Sequence, residues 1–357
     1  MENEKRVGLV LAGGGARGAY QIGVWKALRE FGIDDNITDL AGASVGALNA
    51  ALFANGDFYT AEDIWANISK DQVFTLNTEA DLDDIPLPRA LAAGFFGEIK
   101  TLLNIKWGPF SQKGLTELME DNINFNRVRN FGSVYVSCTR RPQNKAAAFA
   151  MWAGHRQAED IANLIEYETE GARYFDITRR DDEEMRDCLL ASSALPFIYS
   201  DIVIDGEYYM DGGLKDNVPV KPLYDEGIRK FIVVYLSTRD IKGLVDKEMF
   251  PDARFFEIYP SKDLGDIREL AKFNPENSQK LMKMGYVDTI KILKPLYELH
   301  LAAVSYNEAI ARLRVSNDSF AKEYAKQTLE LEELWDRIDE NIERLGKRHR
   351  GINLSNM

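Results

Sequence analysis

The pentapeptide Gly42-Ala43-Ser44-Val45-Gly46 restricts what this chain can become more than any other stretch of it. It follows the apolar run Ile37–Ala41 and leads into the helix-forming run Ala47–Phe53. A strand that stops at Gly-x-Ser-x-Gly and re-enters the chain as a helix makes a sharp elbow. The serine Oγ is pushed outward, and the glycines sit where a Cβ would block the bend. The helix from Val45 then aims its first N–H groups at negative charge developing beside Ser44. The same residues also read as a plain strand–turn–helix connection with Ser44 as its N-cap.

A second glycine cluster lies upstream. Arg6–Ala12 reads as a buried first strand that runs into Gly13-Gly14-Gly15-Ala16-Arg17-Gly18. Ala19–Phe31 then reads as a helix, with Tyr20, Val24, Ala27, Leu28 and Phe31 at three- and four-residue spacing. Gly13-x-Gly15-x-x-Gly18 fits the dinucleotide-binding pattern, which wants an acidic residue at the end of the next strand to hold the ribose. Here that strand ends in the serine elbow. Acyl chemistry asks instead for main-chain N–H groups aimed at an oxyanion, and a glycine loop beside a serine elbow supplies them. Arg17 has two readings, a fork for an anionic head group or a local cap at the start of its helix.

The third element is Asp211-Gly212-Gly213-Leu214-Lys215-Asp216-Asn217-Val218-Pro219. Ile202–Met210 reads as two short strands around Asp205-Gly206, a strong two-residue hairpin signal. Asp211 therefore sits at the end of the returning strand. Gly212 and Gly213 let the backbone pass close to a neighbour, expected to be the serine site. Taken alone, Asp211-Gly212 also reads as another Asx turn.

In this order Gly13–Gly18, Gly42–Gly46, Ala191-Ser192-Ser193-Ala194-Leu195-Pro196 and Asp211–Pro219 resemble the four signature blocks of the patatin-like phospholipases, a family of Ser–Asp lipid acyl hydrolases. The resemblance covers Arg6 to Leu293. It implies a three-layer α/β fold with a mostly parallel central sheet covered by helices. It also implies Ser44 as nucleophile, Asp211 as its dyad partner and Gly13, Gly14, Gly15, Ala16, Arg17 and Gly18 as the oxyanion loop. Gly42, Gly46, Gly212, Gly213, Asn217 and Pro219 match the supporting positions. Ala191–Pro196 is expected to end a helix over 181–193 and pack under the catalytic loop.

Histidine usage points to a dyad independently. The chain has only His155, His300 and His349. A Ser-Asp-His hydrolase of the α/β type places its histidine after the acid, which leaves His300, in a helical stretch, and His349, in a basic tail. A carboxylate with a reference pKa of about 3.9 is a weak base toward a hydroxyl. Asp211 must then lie in direct hydrogen-bond reach of Ser44 and be partly desolvated. No His/Cys cluster has ligand spacing, so neither a metal nor another cofactor is expected.

Composition bounds the rest. Lys+Arg 44 against Asp+Glu 57 gives a net charge of −13, which disfavours electrostatic capture by nucleic acid or anionic membranes. Only Cys138, on a predicted strand, and Cys188, on a predicted helix, are present, which fits a reducing compartment. The N-terminus shows no charged-then-apolar leader and no run approaches the ~20 residues of a membrane span. The expectation is a cytoplasmic protein. Strands at 133–138, 174–177, 231–236 and 255–259 continue the alternation with helices, including one at 60–69, and imply a mostly parallel sheet.

Residues 1–292 are read as the catalytic domain and 293–357 as a helical extension. Within residues 86–110, Leu91, Phe95, Phe96, Ile99, Leu102, Leu103 and Trp107 recur at helical spacing. They read either as a lid or lipid-contacting, peripheral membrane surface, or as a helix packed on the core. In the tail, a helix over 318–346 carries Leu331, Trp335, Ile338, Ile342 and Leu345 as a heptad-like seam, buried on the body or across a homodimer. The favoured activity is hydrolysis of lipid acyl esters. The alternatives are acyl transfer on the same scaffold and a nucleotide-binding module built on Gly13–Gly18.

Overall fold

The computed structural model describes residues 6–76, 110–140, 171–195, 198–200, 202–238, 244–265 and 267–350. It divides into two compact units, Met1–Ile292 and Leu293–Met357.

In the first unit eight strands form one sheet: β1 (Gly8–Leu11), β2 (Asp39–Ala43), β3 (Ser133–Arg140), β4 (Arg173–Asp176), β5 (Ile202–Ile204), β6 (Glu207–Asp211), β7 (Lys230–Val234) and β8 (Arg254–Ile258). Their order is β8-β7-β1-β2-β3-β6-β5, with β4 also paired to β3. The run β8-β7-β1-β2-β3 is parallel, while β4, β5 and β6 join antiparallel. Every residue of β1 and β2 is buried, as is Phe231–Val234 of β7. Side chains alternate faces along a strand, so strands buried at every position require cover on both faces. That makes the unit three-layered.

The helices follow from capping and periodicity. After β1 the chain makes a tight 3-10 turn over Gly15–Gly18 and then α1 (Ala19–Glu30). The helix expected over Ala19–Phe31 thus begins only after this turn, where four glycines in six residues weaken α-helix. α2 (Val45–Asn55) is buried at all but one position because it packs on β1, β2, β3 and α3 (Phe58–Asn67). α3 starts two residues before the predicted 60–69 because the Asp57 side chain caps it by accepting the Thr60 N–H. α4 (Lys113–Asn122) and α5 (Asp182–Ser192) follow, the second opened by an Asp181/Glu184 capping box. The hairpin sits where Asp205-Gly206 placed it, both residues having positive φ (52° and 81°), as a type I′ turn requires.

β2 begins at Asp39 rather than Ile37. Asp39 is buried and charged, which periodicity does not foresee. Arg6 Nε donates to it at 3.0 Å and Ser133 Oγ at 2.7 Å, so the charge is paired and hydrogen-bonded as burial demands. Cys138 on β3 and Cys188 on α5 are buried and unpaired.

One long helix, α6, runs Pro275–Arg350 and contains Pro295 close to the boundary between the units. The predicted 318–346 helix is its later part, and the helix begins far earlier than the sequence reading placed it. Leu331 of the predicted seam is exposed in the single chain. The side chains of Trp335, Ile338, Ile342 and Leu345 lie outside the described residues, as do residues 86–109 with the candidate lid. Among the described residues no helix is long and apolar enough to cross a membrane.

Candidate active site

The parallel strands end together, and ligands in open α/β sheets bind outside those carboxyl ends. β1 delivers Gly13 and β2 delivers Ser44 to that edge. Ser44 itself holds φ 53° and ψ −128°, a conformation that costs a non-glycine residue on the order of 1–3 kcal/mol. The glycines around it leave the elbow no alternative. A Cβ on Gly42 would lie 2.3 Å from the Gly46 carbonyl oxygen, and one on Gly46 would lie 2.2 Å from that of Leu11.

Ser44 makes no capping bond to its helix. Its Oγ donates instead to Asp211 Oδ2 at 2.7 Å. Asp211 ends β6, which lies against β3 with Asp211 opposite Cys138, and this antiparallel pairing carries it to the elbow across 167 residues of sequence. Its other oxygen accepts the Gly213 N–H at 2.8 Å. Burial pushes the Asp211 carboxyl up to about 6, against the opposing bonds from Ser44 and Gly213.

The glycine loop is tied to the same place. Asn217 accepts the Gly13 N–H on its main-chain oxygen at 3.2 Å and donates Nδ2 to Gly13 O at 3.3 Å. A Cβ on Gly13 would meet Asn217 Oδ1 at 2.4 Å, so only glycine admits this approach. Pro219 is buried two residues on. Among the described residues the N–H groups of Gly14 and Gly15 have no acceptor. Arg17 is half-buried, its Nε donates to Gly14 O at 3.3 Å, and burial lowers its pKa. Arg17 thus pairs locally, the second of its two sequence readings.

Several residues that the sequence reading passed over hold this arrangement. Gln21 Nε2 donates to Ala12 O at 2.7 Å and Asn49 Nδ2 to Gly18 O at 3.1 Å, which fixes both ends of the glycine loop. Asn49 also donates to Gln21 Oε1 and accepts from Trp65 Nε1, so the buried network is closed. Polar residues on otherwise apolar helices were the available signal. Ser192 lies in the Ala191–Pro196 block, which the sequence reading expected only to pack under the catalytic loop. Its Oγ accepts the Ser44 N–H at 2.8 Å and donates to Ser137 O at 2.6 Å.

A cavity of about 110 Å³ opens beside Ser44 and Gly15. Its walls are apolar, with Leu48, Leu52, Trp65, Phe74, Met119 and Phe273 among the lining side chains. Of the histidines, His300 is exposed on α6, while His155 and the side chain of His349 lie outside the described residues.

A family model described as patatin-like phospholipase matches residues 9–224. Lysophospholipase nte1 of Aspergillus terreus is 58% identical over 50 residues, 14% of this chain and 3% of that protein. Patatin-like phospholipase domain-containing protein 7 of Mus musculus is 23% identical over 243 residues, 67% of this chain and 14% of that protein. The chain thus spans only a small part of the length of these relatives. Among solved structures, human GIVD cytosolic phospholipase A2 aligns with a TM-score of 0.40 at 11% identity, covering 83% of this chain and 63% of that one.

Proposed function

The chain belongs to the patatin-like phospholipase family, and from that premise we propose that it hydrolyses acyl esters of lipids with Ser44 as nucleophile and Asp211 as base. The observation that carries the reading is the direct 2.7 Å bond from Ser44 Oγ to a fully buried carboxylate. Ser44 Oγ attacks the ester carbonyl carbon while its proton passes to Asp211 Oδ2. The carbonyl oxygen becomes an oxyanion held by N–H groups of the Gly13–Gly18 loop, where those of Gly14 and Gly15 have no acceptor among the described residues. The tetrahedral species collapses, the C–O bond to the alcohol breaks, and Asp211 returns the proton to the leaving oxygen. Water then attacks the acyl-enzyme by the same steps, giving the carboxylic acid and free Ser44.

In this reading residues 1–292 form the catalytic unit, 293–357 an extension, and the apolar cavity receives the acyl chain. The two free cysteines favour a cytoplasmic setting. A nucleotide-binding role is less well supported, because β2 ends in Ser44 and offers no acidic residue to a ribose. Transfer to an acceptor alcohol uses the same acyl-enzyme and is separated from hydrolysis by acceptor competition.

The test is a series of p-nitrophenyl esters of increasing chain length, with fluorophosphonate labelling of Ser44. Each methylene added within the cavity is expected to raise kcat/KM roughly three- to fourfold, from about 0.8 kcal/mol per buried CH₂. Leu48 lines the cavity one turn after Ser44, so Leu48→Trp should end that rise at a shorter chain while leaving the acetyl ester unaffected. A flat series in both proteins, or no labelling of Ser44, overturns the reading.

A further inference from the structure

Ser192 reacts with nothing in this chemistry, yet the segment it opens touches both halves of the site. Ser44 holds a conformation that persists only where its surroundings impose it. Its N–H donates to Ser192 Oγ at 2.8 Å, and the Ser192 hydroxyl in turn donates a hydrogen bond to Ser137 O at 2.6 Å. Ser137 precedes Cys138, the residue that pairs with Asp211 across β3 and β6. Two residues after Ser192, the Ala194 carbonyl accepts the Asp211 N–H at 2.9 Å. Ser192 is fully buried, so no water replaces its hydroxyl.

We infer that residues 192–194 form a positioning clamp, in which Ser192 holds Ser44 in its strained conformation and so fixes its bond to Asp211. A serine that only filled space would be replaceable by alanine. Here the hydroxyl bridges one donor and one acceptor that would otherwise both be orphaned. The inference rests on Ser44 and Asp211 acting as proposed. The bond from Ser44 is also one of the two that hold the Asp211 pKa down against burial, so loosening it should move the base as well as the nucleophile.

The test compares Ser192→Ala and Ser192→Cys with the wild type and with Ser44→Ala, on a short-chain ester. Ser192→Ala should lower kcat about 10- to 100-fold, the scale of a small misplacement of reacting groups, with KM within about twofold. The midpoint of the acid limb of kcat/KM should move to higher pH. Ser192→Cys, whose thiol is a weak acceptor of similar size, should regain part of both. If Ser192→Ala does not fold, the thiol variant is read alone and should show the same changes, smaller. A lower Tm with unchanged kcat and midpoint makes Ser192 merely structural and overturns the clamp. Full activity of Ser44→Ala would sink the dyad itself, a separate outcome.

A second observation stands apart from the site. Upstream of the predicted seam α6 carries a second run of heptad spacing, in a phase that shares Leu331 but steps on to Leu334 rather than Trp335. Leu296, Leu299, Ala303, Tyr306, Ile310, Leu313, Asn317, Phe320, Tyr324, Gln327, Leu331 and Leu334 step alternately by three and four. The leucines and aromatics of that seam are 43–74% exposed. At roughly 60–120 Å² of apolar surface each, eight such side chains from two copies bury on the order of 1,000–1,900 Å², the range of specific interfaces. A single Asn among the a positions sets register in parallel two-stranded coils, and Asn317 is that residue. We propose that the seam pairs in parallel with that of a second copy of this chain.

The 357-residue chain should sediment at twice its 40.4 kDa mass. Asn317→Cys should form an intermolecular disulfide on mild oxidation, since in-register pairing brings the two 317 positions together and both native cysteines are buried. Leu313→Glu should give an active monomer. A wild-type monomer at all concentrations, a dimer indifferent to Leu313→Glu, or seam binding only to phosphatidylcholine vesicles or to another protein would overturn this pairing.

Discussion

Replacing Ser44 with alanine is expected to lower ester hydrolysis to the uncatalysed rate, a fall on the order of 10,000-fold or more in kcat. In the proposed reaction alanine removes the atom that carries the acyl group and leaves the cavity and glycine loop intact, so KM should hardly change. The decisive comparison is the double variant Ser44→Ala/Asp211→Asn. Attack and proton transfer are one step, and groups that serve one step lose their effects together rather than in sum. The double variant should therefore be little worse than either single one. His300→Ala should keep most of the activity, since the Ser44–Asp211 bond leaves no place between them for an imidazole. A folded His300→Ala as inactive as Ser44→Ala would make this a triad enzyme, and losses that multiply in the double variant would assign the two residues to different steps.

The elbow was legible from sequence because its requirements are local. Glycine at 42 and 46 and a helix after a strand are demands that five residues state by themselves. The Asp205-Gly206 hairpin was legible for the same reason, and it placed Asp211 at a strand end. What brings Asp211 to Ser44 is not local: β6 must run antiparallel beside β3 while β2 lies parallel on the other side. No spacing along the chain states that, and only the family resemblance supplied it. Ser192 was read only as part of a packing block, because a helix-terminal serine looks the same whether it caps nothing or holds a strained N–H. The early start of α6 was announced by Asn274-Pro275, an N-cap followed by the residue most suited to the first helical position. Asn274 Oδ1 does accept the Asn277 N–H at 2.9 Å. The segment also carries Gly285, where a Cβ would lie 2.0 Å from Tyr20 O on α1, so α6 opens pressed backbone-to-backbone on α1. A polar, weakly periodic stretch hides that kind of contact.

Asp211→Asn should separate activity from stability. Asparagine can accept the Gly213 N–H on Oδ1 and donate Nδ2 to Ser44 Oγ, so both bonds find partners and the fold is kept. The base is gone, and kcat/KM should fall nearly as far as in Ser44→Ala. Stability should move the other way. Burial raises the folded-state pKa of Asp211 to about 6, above an unfolded value of about 3.9. The native state therefore binds the proton more tightly than the unfolded chain between those values, and stability falls as pH rises from about 4 through about 6. Above that window the ionised carboxylate costs the fold roughly 3 kcal/mol, from 1.36 kcal/mol per pKa unit. Asparagine carries no such charge, so the variant should melt several degrees higher than the wild type at pH 7.5 and at nearly the same temperature at pH 4. The same titration governs the wild-type rate: kcat/KM should climb about tenfold per pH unit below about 6 and level off above it as Asp211 ionises. A pH-independent melting difference would show that Asp211 is not held ionised at a cost. An acid limb centred near 4 would show that the working base is a solvated carboxylate elsewhere.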